Sequence, residues 1–101
     1  MKRYDTATWT AVDSVTTDTT SSARQMYEYD YAEMRVISET TTAWAGTVQV
    51  QGSLDGTNFS NYGSSITAAG FYVIDPIPQY VKVVTTRTAG TLQIELRPVV
   101  L

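Results

Sequence analysis

The chain has 101 residues, of which 43% are hydrophobic and 17% charged, with a net charge of −3. That size and apolar content describe one folded domain with a modest core rather than a disordered chain, and an acidic balance argues against a nucleic-acid partner, because it repels phosphate backbones. Cysteine and histidine are both absent, which excludes disulfides, thiolate zinc sites and the catalytic systems built on Cys–His or Ser–His–Asp.

The amino terminus, Met1 to Thr10, carries basic residues but no apolar stretch of the signal-peptide kind, and residues 1–6 are expected to form an arm, either ordered or flexible. Ala7 to Val15 alternates as a strand, with Trp9, Ala11 and Val15 on one face and Thr8 and Thr10 on the other. Thr16 to Ser22 is polar throughout and reads as a solvated connection between two sheets. In Ala23 to Tyr31 the tyrosines at 27, 29 and 31 suggest an alternating strand, with a single helical turn as the alternative. Glu33 to Glu39 reads more clearly as a strand, with Met34 and Val36 facing one way and Arg35 and Ile37 the other. Thr40 to Ala45 is a connection that carries an apolar Trp44.

Gly46 to Phe59 organises the middle of the chain. Val48 and Val50 alternate with Gln49 and Gln51, the period of a strand with one buried and one wet face. Asp55-Gly56 follows as a hairpin signal, with Asn58 completing the turn and Phe59 starting the return strand. Beyond it, Ile66 is a lone apolar residue among turn residues, Phe71 to Ile74 is a short strand, and the prolines at 76 and 78 force a corner. Val81 and Val83 face inward from the next strand, and Ala89-Gly90 turns the chain. Leu92, Ile94 and Leu96 then alternate against Gln93, Glu95 and Arg97 until Pro98 stops the run, leaving residues 98–101 as an apolar tail.

About seven or eight short strands with turn signals, and no segment that demands a helix, predict an all-β fold: a single-domain antiparallel β-sandwich or jelly roll over residues 1–101. No run of apolar residues is long enough for a membrane span. Nothing points to an enzyme. Lys2 and Lys82 stand beside no serine motif, and no acidic pair sits in a recognisable setting. Asp55, Thr57 and Asn58 offer oxygen atoms to calcium, but no downstream carboxylate closes a calcium loop, and turn chemistry accounts for them. No metal or cofactor is expected. Trp44 in a loop needs the core, a sugar or another chain against it, and Val99, Val100 and Leu101 at the terminus either pair at a sheet edge or dock on a neighbour. These four are the residues expected at an interface, since apolar surface left in water calls for a partner.

The VQVQGSLDGTNF stretch, followed by QYVKVV, resembles the discoidin (coagulation factor type C) jelly roll. It is more closely similar to small proteins encoded among the structural genes of tailed bacteriophages, which carry a comparable hairpin and a closing T-x-x-x-L strand, here within Thr88 to Leu96. The likeness covers Thr47 to Leu96 and rests on a turn rather than a site. Discoidin domains are longer and often contain cysteines, so none of their glycan- or lipid-binding residues carries over. The phage resemblance implies a virion structural protein, assembled in the host cytoplasm, that decorates or cements a capsid or fits into a neck, tail or fibre. Its implied partners are the major capsid protein, other virion proteins or further copies of itself. A carbohydrate-binding module, with Trp44 and a tyrosine stacked on sugar, is the alternative.

Overall fold

The computed structural model describes residues 3–4, 9–15, 17–38 and 44–100. Two long alternating stretches, β6 (Ala45–Ser53) and β9 (Tyr80–Ala89), pair antiparallel along their lengths from Ala45↔Ala89 to Ser53↔Tyr80. Their inward valines, Val48, Val50, Val81 and Val83, are at most 4% exposed. A second pair, β5 (Tyr31–Ser38) and β10 (Leu92–Val100), forms the middle of the opposing sheet from Leu92↔Ser38 to Val99↔Tyr31. Met34 and Val36 from β5 meet Leu92, Ile94 and Leu96 from β10 in the same core. Burial of each such side chain stabilises the fold by about 1.5–3 kcal/mol relative to leaving it in water.

Shorter strands complete each sheet. Outside β10 lie β1 (Arg3–Tyr4) and β2 (Trp9–Val15), and outside β5 lies β8 (Gly70–Ile74). Outside β9 lie β3 (Thr19–Thr20) and β4 (Arg24–Gln25), and outside β6 lies β7 (Ser60–Asn61). Taking β1 with β2 and β3 with β4 as one strand position each, the first position pairs with the last, the second with the next to last, and so inward to β6 and β7. This nested antiparallel ribbon, folded across two sheets, is a jelly-roll β-sandwich.

Several local expectations are corrected by the packing. β2 holds two more residues than β10 opposite it, so the register shifts on either side of Ile94↔Val12 and the alternation breaks. Val12 is buried at 2% exposure, while Trp9 and Ala11 pack partly buried against the core. Thr19 and Thr20 are not a wholly solvated connection; they pair with Thr85 and Val84 on β9. Ser21 beside them is buried, yet its hydroxyl accepts the Val83 amide and donates to the Ser22 carbonyl. A polar stretch can enter a sheet edge when its hydrogen bonds are satisfied in this way.

The tyrosine alternation at 27–31 does not form one strand. Met26 drops into the core with its amide bonded to the Gln79 carbonyl, and the Tyr29 amide closes a turn back onto Met26. Pro98 does not end β10, which runs to Val100. On the β5 side Pro98 faces Ala32, and on the other side it falls between the levels of Trp9 and Tyr4, where no described residue pairs with it. A proline is tolerated where no ladder bond requires its missing amide hydrogen. Arg3 and Tyr4, within the arm for which the sequence leaves both an ordered and a flexible form open, pair with Val100 and Val99.

Candidate functional site

The loop after β6 is held by its own side chains. Gly52 pairs with Ser60, so residues 53–59 make the connection and the return strand starts one residue after the Phe59 expected to begin it. Ser53 is buried and its hydroxyl accepts the amides of Asp55 and Gly56 at 3.2 and 2.9 Å while donating to Asp55 Oδ1 at 2.8 Å. Asp55 Oδ1 also accepts the amides of Thr57 and Asn58, each at 2.9 Å, and Oδ2 accepts Asn58 Nδ2. Gly56 has φ +80°, and a Cβ there would lie 3.1 Å from the Tyr80 ring, so this position needs glycine for both its conformation and its space.

These donors favour the ionised carboxylate. The Asn58 amide, then the Thr57 amide, the Asn58 side chain and the Ser53 hydroxyl hold Asp55 well below the usual carboxylate range. A depressed pKa contributes stability that is present above the unfolded value, about 3.9 for aspartate, and is lost as pH falls through the folded value. In an NMR pH titration the Asp55 carboxyl is therefore expected to titrate clearly below that value. The amides of Thr57 and Asn58 should shift with it. A midpoint near about 3.9 would mean that the loop bonds are not made in solution.

Beside this loop, the proline corner at 76–78 forms the far wall of an open groove of about 540 Å³. Leu54, Tyr62, Ile77 and Pro78 supply apolar surface, and Asn58 and Asn61 supply polar groups. The Tyr62 hydroxyl donates to the Pro76 carbonyl and ties the two walls together. Below the loop, Tyr27 and Tyr80 meet edge to face at 5.3 Å between ring centres and share a hydrogen bond between their hydroxyls, which raises the Tyr80 pKa. Lys82 Nζ stands 4.4 Å from the centre of the Phe59 ring. The arrangement is suited to binding by shape and hydrogen bonds. Both Asp55 oxygens are engaged within the loop, and no cluster of three or more metal-ligating side chains occurs among the described residues.

The residues expected to meet a partner lie elsewhere. Trp44 is 7% exposed and belongs to the core, and Val99 is fully buried in β10. Rings and branched side chains already packed within their own chain have no surface to offer another. Val100 is half-buried and pairs with Arg3, and Leu101 lies outside the described residues. Among the described residues, the large apolar side chains that are exposed are Leu54 (80%), Phe71 (79%), Val73 (62%) and Tyr27 (53%). A signal for two of them is present in the sequence. In Phe71-Tyr72-Val73-Ile74 four apolar residues follow one another, and in a strand alternate members must turn away from the core.

The fold and its surface thus define a small jelly-roll sandwich with a rigid hairpin loop beside an open groove. Comparison of the sequence with models of known protein families finds no match, and comparison with curated protein sequences finds none. Among solved structures the chain is similar to the SPBc2 prophage-derived protein YomS, with a TM-score of 0.78 over 98% of this chain and 95% of that one. Sequence identity is 9%, so the likeness is one of fold.

Proposed function

We propose that this chain is a non-enzymatic structural protein of a tailed-phage particle, of the type that decorates or cements a capsid between major capsid subunits. The observation that carries the reading is the likeness of its jelly roll, from end to end, to a prophage-derived protein. The GSLDGTNF turn, with its resemblance to phage structural proteins, supports it independently.

The contact is assigned to the loop at 53–59 and its groove rather than to Trp44 and the terminus. Leu54 is 80% exposed on a loop already locked by Ser53 and Asp55, so docking there orders little further backbone. Co-sedimentation with particles of the encoding phage assembled without this protein tests the reading. Wild-type protein should bind shells saturably, and Leu54→Ser should weaken that binding while leaving the thermal melt unchanged. Binding to tails alone would move the protein to a neck, tail or fibre position. Retention on a glycan array with no particle binding would replace the reading with a carbohydrate-binding module, for which the groove supplies an apolar wall and amide groups.

A further inference from the structure

We propose that β8 is a self-association edge, and that a second copy of this chain pairs with it antiparallel about a two-fold axis at Tyr72. The inference stands apart from the particle reading and is tested on the free protein.

The four lateral edges of the sandwich differ. β7 is two exposed polar residues, Ser60 and Asn61. β3 and β4 are two-residue segments separated from one another, and β2 is bulged by two extra residues against β10. Short, interrupted or bulged edges are the devices by which monomeric sheets avoid edge-to-edge pairing. β8 has none of them. It is five continuous residues, Gly70 to Ile74, without a charge or a proline. It pairs in unbroken register with β5, and among the described residues no other backbone engages it. Phe71 and Val73 stand exposed on its outer face.

The register selects the occupant. With Tyr72 on the two-fold axis, Phe71 of one copy lies opposite Val73 of the other, and Gly70 opposite Ile74. The large ring is thus matched to the smaller branched side chain twice over, once on each side of the axis. Opposed side chains on one face of an antiparallel pair come within about 4.5–5.5 Å, close enough for both to leave water. The charges flanking this apolar centre are also complementary. On β5, Arg35 is level with Phe71 and Glu33 with Val73. The Arg35 guanidinium lies 5.7 Å from the centre of the Phe71 ring and 3.9 Å from Glu95. Across the axis each row therefore runs Arg35, Phe71, then Val73 and Glu33 of the second copy. An arginine end faces a glutamate end, with the apolar pair between them. Such a contact is isologous and closed: it uses the β8 edge of both copies and leaves none for further addition.

Sedimentation equilibrium of the wild-type protein across the micromolar range should give the dimer mass. Val73→Lys places a charge at both symmetry-related pairs and should weaken dimerisation by on the order of 100-fold or more. Its circular dichroism should stay unchanged, because Val73 faces solvent in the monomer, and its thermal melt should match that of the wild type at concentrations too low for the dimer. The register has its own readout. When Phe71→Cys chains are mixed with Val73→Cys chains under mild oxidation, the covalent dimer should contain one of each. A wild-type protein that remains monomeric would overturn the proposal and leave the edge to a strand from a different protein. A dimer indifferent to Val73→Lys, or cross-links formed chiefly between identical chains, would overturn it equally.

Discussion

Trp44→Ala is expected to lower the unfolding free energy by about 3–5 kcal/mol, the range for deleting a large aromatic side chain from a packed core. Total stabilities of small domains are about 5–15 kcal/mol, so the loss is a large part of what holds the fold together. Trp44 is 7% exposed and clusters with the valines of β6 and the leucines of β10. Its amide donates to the Ser38 hydroxyl at 2.9 Å, which ties the end of β5 to the start of β6. Urea denaturation followed by circular dichroism measures the effect without relying on the removed fluorophore. Trp44→Phe should cost much less. It keeps a ring in the site, and the indole Nε1 that it removes is buried with no hydrogen-bond partner among the described residues. A Trp44→Ala protein as stable as the wild type would mean that the ring is not packed in the core. The same substitution cannot locate a particle contact, because lost binding would report lost folding.

The second large effect is expected at Gly46. Its φ is +150°, and a Cβ built there would lie 2.1 Å from the Thr86 carbonyl oxygen and 2.8 Å from the carbonyl carbon. Both neighbours are backbone, held in the β6–β9 ladder next to a register shift between Ala45 and Gly46. A side chain cannot rotate away to make room, so the ladder itself has to move. Gly46→Ala should therefore cost about 3 kcal/mol or more, combining overpacking with an unfavourable backbone conformation. Gly63→Ala separates the two contributions. Its φ of +76° is also positive, but no atom lies within 4 Å of the added carbon. It should cost about 1–2 kcal/mol, the conformational part alone. Equal denaturation midpoints for the two variants would show that close approach at Thr86 is not what requires glycine at 46.

Much of this architecture is legible from alternation. Leu92, Ile94 and Leu96, Val81 and Val83, Met34 and Val36, and Val48 and Val50 all face the core as their period of two requires. The Asp55-Gly56 pair marks a turn, and the absence of helical periodicity marks the fold class. The turn's length is less visible, because it depends on a Ser53 hydroxyl and an Asp55 carboxylate each collecting amides several residues away. The candidate groove is not legible at all. Its walls come from residues 52–62 and 76–78, which meet only because the loop and the proline corner close over the same end of the sandwich.

By itself the sequence determined an all-β domain, the inward residues of its longest strands and a turn stiffened by aspartate and glycine. Only the tertiary structure decided which strand sits beside which. Alternation says that a strand has a buried face, whereas pairing between β6 and β9 or between β10 and β5 depends on backbone groups that every residue carries alike. The exposed and buried apolar residues were separated by the same means. Trp44 and Val99 gain core neighbours from distant strands, whereas Phe71 and Val73 lie on the outer face of an edge. Hydrophobicity is a property of the side chain, but burial is a property of what the rest of the chain places over it.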